Sequence, residues 1–248
     1  MKPRALRRLI KTGIVLFVLL LAGLLLYMLA RDRPQDLPWT ALDLGERPGM
    51  FTGRKIAALR EDFPECQRLM TRAGIRYQTL APVEVRDQPQ CGYSDGLRLV
   101  SGGSLSIDYL PKDLGTSCPV AAGLAMWEWN VVQPAARRHF GRQVAVIEHY
   151  GSYNCRRIVG RGEGVWSQHA TANAIDIAAF RMDDATRITV KGDWNSRDPQ
   201  VQAFLREVRD GACGLFATVL SPDYNEAHHD HFHFDQADRG AMGWRACR

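Results

Sequence analysis

Residues 226–235 read EAHHDHFHFD and contain four of the chain's seven histidines. The alternation in the pentapeptide DHFHF, residues 230–234, is typical of a β-strand. Because side chains at i and i+2 of a strand point to the same side, His231 and His233 would share one face and Phe232 and Phe234 the other. We expect the phenylalanines to face the core. Two protonated imidazoles side by side would repel each other, whereas neutral imidazoles can bind one metal ion together.

A second group of polar residues lies in SQHATANAIDIA, residues 167–178, where His169 precedes Asp176 by seven positions. Asp176 lies between two isoleucines in a segment typical of a buried strand. A buried carboxylate needs a cation or strong donors, so either a metal ion or a salt bridge to an arginine would explain it. Together with the late histidines, the pattern predicts a zinc site of two histidines and one carboxylate with a position left open for water.

The remaining pattern predicts an α+β fold: a small antiparallel sheet with helices packed on one side. Helices are predicted at 55–74, interrupted at Pro64 and closed by Gly74, at 117–141, and at 197–211, where Asp198 or Arg197 lies near the cap. Strands are predicted at 143–150, 173–180, 216–220 and 230–234, and a hairpin or two short strands at 97–110. The glycine-rich stretch before residue 167 and residues 221–229 are predicted loops.

The segment 117–141 shows the clearest helix pattern. Ser117 can cap it, Pro119 suits its first turn and Gly141 would end it. Its three large aromatic residues are predicted to belong to the core: Trp127, Trp129 and Phe140.

The formal net charge of +5 comes entirely from the first eleven residues. Beyond Lys11, 27 basic residues balance 27 acidic ones, since five of the 32 basic residues precede that point. A nucleic-acid-binding domain would carry its basic excess on the folded domain, so the sequence predicts no nucleic-acid partner. The basic residues at the start of the chain are Lys2, Arg4, Arg7, Arg8 and Lys11.

Residues 12–30, TGIVLFVLLLAGLLLYMLA, contain 19 residues without a charge. That length just spans a bilayer core, and the basic cluster before it predicts a cytoplasmic N-terminus. A cleaved signal peptide is the alternative, although Met28 and Ala30 fit a small-residue cleavage site poorly. We therefore predict a basic tail at 1–11, an anchor at 12–30, a partly extended proline-containing tether at 31–53 and an exported domain at 54–248.

All six cysteines lie in the exported part, and none forms a CxxC pair. An even number of cysteines in an oxidising compartment indicates disulfides, and buried free thiols are the alternative. Pairing in sequence order would give Cys66–Cys91, Cys118–Cys155 and Cys213–Cys247, one of 15 possible arrangements.

The two polar clusters together resemble the D-Ala-D-Ala metallopeptidase superfamily, whose motif is S-x-H-x-x-G-x-A-x-D followed by a late H-x-H or [DE]-x-x-H. The resemblance extends from about residue 38 to residue 247 in one branch, the bacterial extensin-like C-terminal domain family. The segments that carry it are PWTALDLG, VVQPAARRHFG, GSYNCR, HATANAIDIA, VRDGACG and DHFHFD.

The resemblance implies that His169, Asp176 and His233 bind zinc. It implies that His231 is a catalytic or second-sphere histidine and that Asp230 stands where other members carry a general base. If the strand is regular, however, Asp230 points away from His231 and His233, and His231 would then serve as the base.

Further roles follow from the same resemblance. Arg156, with Arg157 as second choice, would bind a substrate carboxylate or the oxyanion, and Ser167 would occupy the serine position of the motif beside the substrate. Ala172 replaces the motif's glycine, which predicts an ordinary backbone conformation there. His228 either lines the cleft or, like His229, belongs to a surface loop.

The resemblance thus implies a zinc peptidase anchored in the bacterial inner membrane, facing the periplasm and cutting amide bonds in the peptide part of peptidoglycan. A non-catalytic, zinc-stabilised wall-binding or scaffold module is the main alternative. A zinc amidase acting on a non-peptide amide is a third possibility.

Overall fold

The fold belongs to the α+β class, as predicted, and its sheets are largely antiparallel. The computed structural model describes residues 3–103, 106–112, 114–158, 164–240 and 244–248. In chain order the α-helices are α1 (Pro3–Arg31), α2 (Thr52–Ala58), α3 (Phe63–Arg72), α4 (Cys118–Trp127), α5 (Gln133–Phe140), α6 (Val190–Asp193) and α7 (Pro199–Ala212). The strands are β1 (Ile75–Thr79), β2 (Val83–Glu84), β3 (Gly92–Tyr93), β4 (Gly96–Gly103), β5 (Asp108–Leu110), β6 (Gly115–Ser117), β7 (Val144–Gly151), β8 (Ala174–Met182), β9 (Arg187–Thr189), β10 (Thr218–Leu220), β11 (Phe232–Asp235) and β12 (Ala246–Cys247).

Parts of three predicted features lie outside the described residues. These parts are Lys2 of the basic cluster, residues 104–105 of the predicted strand region and residues 159–163 of the predicted glycine-rich loop.

The largest sheet has the strand order β12-β10-β11-β8-β7-β5, and β9 pairs with β8. Its central pairs are antiparallel, whereas β12 and β5 join its two edges in parallel. Smaller sheets of order β1-β4-β6 and β2-β3 accompany it. The predicted hairpin or pair of strands at 97–110 becomes β4 and β5, which belong to different sheets.

Helices α4 and α7 pack against one face of the largest sheet, as predicted. The ring of Trp127 lies 5.1 Å from that of Phe234 and 5.9 Å from that of Phe180, and its indole N–H donates to the Val208 carbonyl at 2.8 Å. Phe204 of α7 completes this aromatic layer at 5.2 Å from Phe180. The opposite face of β8 and β11 is left for polar side chains.

The predicted helix at 117–141 is present but contains a π-helical segment, Glu128–Val132, between α4 and α5. Pro134 has no N–H to donate to the carbonyl four residues earlier, which disfavours regular α-helix at this point. The backbone N–H of Gln133 instead bonds to the carbonyl of Glu128, five residues back. Gly141 ends α5 with φ at 64°, as predicted.

Ser117 precedes α4 as predicted, but its side chain does not cap the helix. Its hydroxyl donates instead to Oδ1 of Asn173 at 3.0 Å, which links the start of α4 to the segment before β8. Trp129 and Phe140 are partly buried against the core, in agreement with the prediction.

The predicted broken helix at 55–74 forms α2 and α3, and the break lies at Asp62 rather than at Pro64. The Asp62 carboxylate accepts the backbone N–H of Glu65 at 3.0 Å, and Pro64 falls in the first turn, where a missing N–H costs little. Asp198 caps α7 in the same way, as predicted.

A bulge between β7 and β8 decides which way the Asp176 side chain points. His149 pairs with Ile177, whereas the residue before it pairs two positions further along β8, so Ala178 is an extra residue. Regular alternation would place Asp176 and Phe180 on the same face. The bulge separates them, so Phe180 packs in the core while Asp176 faces the other side.

The predicted partly extended tether is wrong in its conformation, because the residues before α2 pack on the domain. Leu42 and Leu44 belong to the core, with 8% and 1% of their surface exposed. The Gln35 carbonyl accepts the N–H of Phe51 at 3.2 Å, and Asp36 accepts that of Met50 at 2.7 Å. The two ends of this segment therefore meet at the start of α2.

The cysteines form disulfides, as predicted, but two of the three predicted pairs are wrong. The pairs are Cys66–Cys118, Cys91–Cys155 and Cys213–Cys247. Cys66–Cys118 joins α3 to α4. Cys91–Cys155 joins the turn before β3 to the loop after β7. Pairing depends on which α-carbons the fold brings within about 7 Å, and sequence order does not report that.

Helix α1 contains the apolar stretch Ile10–Met28, 19 residues with a mean hydropathy of 2.3. By length and composition this stretch is a candidate membrane anchor or signal sequence.

Candidate metal centre

The strand pairing brings two of the predicted ligands face to face. β11 and β8 are antiparallel, and His233 lies directly opposite Asp176. Phe232 and Phe234 face the core, as the alternation predicts, and are fully buried. The ring atom Nδ1 of His233 lies 3.0 Å from Oδ1 of Asp176.

His169 approaches the same point from the 3₁₀ turn Gln168–Thr171 that precedes β8. Its Nε2 lies 3.2 Å from Oδ1 of Asp176 and 3.2 Å from Nδ1 of His233. One possible ligand atom from each residue falls within a group no wider than 4.8 Å, and all three residues are more than nine-tenths buried. The structure thus brings the three predicted ligands together.

The spacing of these atoms fits a zinc ion. A tetrahedral ion with zinc–nitrogen distances of about 2.0–2.1 Å separates neighbouring ligand atoms by roughly 3.3 Å. The three ligand atoms lie 3.0 to 3.2 Å apart. Two imidazoles and one carboxylate would leave the fourth tetrahedral position to water or substrate.

Both imidazoles are held by a partner on the ring nitrogen that faces away from this point. Nδ1 of His169 lies 2.6 Å from the Ser152 carbonyl, and Nε2 of His233 lies 3.1 Å from Oδ2 of Asp235. Such partners fix the tautomer and ring orientation of metal-binding histidines. Asp235 was not among the residues predicted from the sequence, although its place two residues after His233 on the same strand face is a signal for it.

The carboxylates of this buried cluster favour positive charge on the groups beside them. Burial raises the pKa of Asp176, but hydrogen bonds and charge from His169 and His233 outweigh it and hold that pKa far below its ordinary value. Burial lowers the pKa of His233, whereas Asp176 and Asp235 raise it to about 9. An ionised carboxylate in such a place favours a cation beside it.

The turn that carries His169 depends on a left-handed residue at Ala172, with φ at 53° and ψ at 19°. The prediction of an ordinary backbone conformation there is wrong. Alanine in this conformation costs about 1–2 kcal/mol. The Ala172 carbonyl accepts bonds from the Thr116 and Ser152 hydroxyls and the Ser117 N–H at 2.9–3.1 Å, and this set of buried bonds holds the conformation.

Asp230 points towards His231, not away from it as a regular strand would require. β11 begins only at Phe232, so the alternation does not extend back to Asp230. Oδ1 of Asp230 lies 2.8 Å from Nδ1 of His231, and Nε2 of His231 lies 3.5 Å from Oδ1 of Asp176. Asp230 and His231 therefore form a pair whose free nitrogen faces the ligand cluster.

Tyr150 is a further residue at this pair that the sequence analysis missed. Its ring lies edge-on to the His231 ring at 5.8 Å, and its hydroxyl bonds to Asp230. Burial and the Asp230 charge raise the pKa of Tyr150. Tyr150 is an extra residue in the pairing of β7 with β8, a position that sequence alternation does not reveal.

His228 lies beside the ligand cluster, and His229 lies on the surface. The His228 ring lies 5.2 Å from that of His231 and 5.8 Å from that of His233. Burial and the neighbouring histidines lower its pKa to about 4, and Arg156 contributes in the same direction.

The other predicted substrate residues have local partners. The Ser167 hydroxyl accepts the backbone N–H of His169 at 3.2 Å, which helps to hold the ligand turn. The Arg157 guanidinium stacks on Trp166 at 4.6 Å. Arg156 is therefore the better candidate of the two arginines for substrate, and the substrate role of Ser167 stays a prediction.

Comparison with known proteins gives one family. The family model described as "Extensin-like protein C-terminus" matches residues 64–248, a stretch that includes the whole ligand cluster. No curated protein and no solved structure matches the chain significantly.

Proposed function

The chain belongs to the extensin-like C-terminal family, and on this premise we propose that it is a membrane-anchored, zinc-dependent peptidase that hydrolyses amide bonds in peptidoglycan stem peptides or cross-links. The proposal places the domain in the D-Ala-D-Ala metallopeptidase superfamily. The observation that carries it is the convergence of His169, Asp176 and His233 within 4.8 Å. The motif that these residues share with that superfamily supplies the reaction class.

His169, Asp176 and His233 would hold the zinc ion through Nε2, a carboxylate oxygen and Nδ1, respectively. When bound, zinc supplies a Lewis acid that polarises a carbonyl and lowers the pKa of water towards neutrality. Ser152 and Asp235 keep the two imidazoles in the orientation and tautomer that this requires.

The Asp230–His231 pair is placed to move the proton. Nε2 of His231 faces the ligand cluster while Asp230 fixes its other nitrogen. His231 would accept a proton from the attacking water and donate it to the leaving amine, with Asp230 orienting the ring. Arg156 would stabilise the oxyanion or bind a substrate carboxylate.

The proposed location is the bacterial inner membrane, with a cytoplasmic N-terminus and the domain in the periplasm. The apolar helix and its basic flank support this orientation. Three disulfides among the six cysteines are in keeping with an oxidising compartment.

The proposal is tested by digestion of purified peptidoglycan sacculi, with and without chelator, and mass spectrometry of the released fragments. We expect His233→Ala to lose both zinc and turnover. We expect His231→Ala to keep most of the zinc and to lose about 10²–10⁴-fold in turnover, the usual contribution of a general acid–base. The exposed His229→Ala variant is the matched control and should retain both properties.

Two outcomes would refute parts of this proposal. Tight binding of one equivalent of zinc by His233→Ala would show that the ligand assignment is wrong. Zinc binding by the wild-type chain without release of any fragment would indicate a zinc-stabilised, non-catalytic wall-binding module instead.

A further inference from the structure

A cleft of about 350 Å³ lies between α2 and the segment that follows β11, apart from the metal centre. Four arginines and two carboxylates line it, and an exposed tryptophan stands at its rim. These residues are Arg54, Arg60, Arg239, Arg245, Glu61, Asp238 and Trp244. The lining thus carries a net charge of +2, from four positive and two negative groups.

The two carboxylates are engaged by a single arginine. Arg60 lies 3.1 Å from Asp238 and 3.7 Å from Glu61. Within the part of the chain that the structure describes, Arg54, Arg239 and Arg245 have no ion-pair partner. The cleft therefore offers three cations to an anion from outside.

The partners of these arginines hold two of them in place. Arg245 donates to the backbone carbonyls of Gly214 at 2.7 Å and Cys213 at 3.2 Å, and Arg239 stacks on Trp244 at 5.1 Å. Carbonyl and ring contacts leave the positive charges uncompensated. Arg54 is exposed and free to reach a ligand.

Chain length places this cleft close to the end of α1. Two residues separate Arg31, the last residue of α1, from Pro34, which begins the docked segment. At no more than about 3.6 Å per residue, these α-carbons lie within about 11 Å of each other. Gln35 bonds to Phe51, and the carbonyl of Met50 accepts a bond from Arg245 of the cleft at 3.4 Å.

The docked segment before α2 and the rim of the cleft expose three large apolar side chains. Trp39, Met50 and Trp244 have 78%, 72% and 61% of their surface accessible. Tryptophan is favoured at the level of lipid headgroups, where one side of the ring meets apolar chains and the other meets water. Basic residues beside such aromatics are typical of surfaces that bind anionic membranes.

We propose that Arg54, Arg239, Arg245, Trp39, Met50 and Trp244 form a membrane-contact patch that binds the phosphate headgroups of anionic lipids. The lipids belong to the outer leaflet of the membrane that α1 spans, so the inference rests on the anchoring in the proposed function. Charge complementarity and the short link to α1 select a lipid surface as the occupant. The patch holds the domain against the bilayer.

The test uses the full chain in micelles of a neutral detergent, with phosphatidylglycerol added stepwise and tryptophan emission as the readout. We expect a blue shift with phosphatidylglycerol and none with phosphatidylcholine. Arg54→Gln should raise the midpoint about fivefold, the effect of one basic charge near an anionic surface. Arg54 is exposed, and Arg76→Gln, at an exposed position on β1, is the matched control. The Trp39→Phe/Trp244→Phe double variant should lose most of the shift.

Equal midpoints for Arg54→Gln and Arg76→Gln would overturn the proposal. So would the same emission change with inorganic phosphate alone, or with soluble peptidoglycan glycan fragments, because the occupant would then be a free anion or the wall. Turnover and zinc are not measured in this test. Failure of the peptidase proposal and failure of the membrane-contact proposal can therefore be told apart.

Discussion

Asp235 bonds with both of its carboxylate oxygens. Oδ2 lies 3.1 Å from Nε2 of His233, while Oδ1 accepts the backbone N–H of Ala237 at 3.0 Å. The backbone N–H of Ala237 therefore holds the carboxylate that orients the His233 ring. With Nε2 held by Asp235, Nδ1 of His233 lies 3.0 Å from Oδ1 of Asp176.

Replacing Asp235 should weaken metal binding without removing a ligand. We expect Asp235→Asn to lower zinc affinity about 10–100-fold, because the amide holds the His233 tautomer less firmly. Competition with a chromophoric chelator measures the affinity. Asp183→Asn, at an exposed position, is the control. An unchanged affinity for Asp235→Asn would show that His233 does not bind metal through Nδ1.

Ala172 holds a left-handed backbone conformation, with φ at 53°, although it is not a glycine. The left-handed backbone is retained because its carbonyl has three buried donors. These bonds thus help to hold the turn that carries His169.

At the scale of elements, three strands are joined by one carboxylate. Glu148 of β7 lies 2.7 Å from Arg187 of β9 and 2.7 Å from Arg181 of β8. Hydrogen bonds from Arg187, and then from Arg181, outweigh burial and lower the pKa of Glu148 to about 2.

This pKa predicts a loss of stability in acid. In the folded protein the pKa of Glu148 lies below its ordinary value of 4.5. The stability that Glu148 gains from its two arginine partners is therefore present above about pH 4.5 and is lost as the pH falls towards 2. We expect the free energy of unfolding to fall by about 1–2 kcal/mol over this range, a small value because both arginines are half-exposed. Urea unfolding across this pH range should show the decrease in wild type and a flatter curve in Glu148→Gln. A curve of equal slope in the variant would refute the assignment, and Glu84→Gln is the exposed control.

The disulfides should differ in what they support. Removing Cys91–Cys155, which spans 64 residues, should cost about 2–4 kcal/mol and also reduce turnover, because Arg156 follows Cys155 directly. Removing Cys213–Cys247 should lower stability and leave turnover unchanged. Paired Cys→Ala variants, compared by urea unfolding and by digestion of sacculi, measure both effects. Equal turnover in the two double variants would show that Arg156 does not contribute to the reaction.

At the scale of the whole molecule, the segment between α1 and α2 is part of the fold. Leu44 packs in the core, and Lys55 of α2 donates to the Thr40 hydroxyl at 2.8 Å. Because this segment is packed on the domain, the domain lies closer to the end of α1 than an extended link would allow. The domain boundary at residue 54 stays a prediction from composition, and core packing continues upstream of it.

A chain that begins at residue 54 should therefore be less stable than one that begins at residue 32. Loss of Leu42 and Leu44 from the core should cost about 3–6 kcal/mol, an upper estimate from the buried apolar surface. Urea unfolding of the two chains measures the difference. Leu44→Ala in the longer chain should reproduce about 2–5 kcal/mol of it. Equal stabilities would show that the segment docks without stabilising the domain.

Features that depend on neighbours along the chain could be predicted from the residue pattern. The period-two alternation placed Phe232 and Phe234 in the core and His233 on the opposite face. Gly141 and Asp198 marked the end of α5 and the start of α7, and the resemblance to a known motif implied the three candidate ligands.

Contacts between residues far apart in the chain could not be predicted in this way. The register that sets His233 opposite Asp176, the bulge at Ala178, the disulfide pairs and the docking of Leu44 all join residues far apart in sequence. Local propensity fixes backbone angles within a few residues, whereas these contacts are selected by packing and hydrogen bonding over the whole chain. That is why the resemblance could name the candidate ligands, while the strand register and the turn that bring them together could not be predicted.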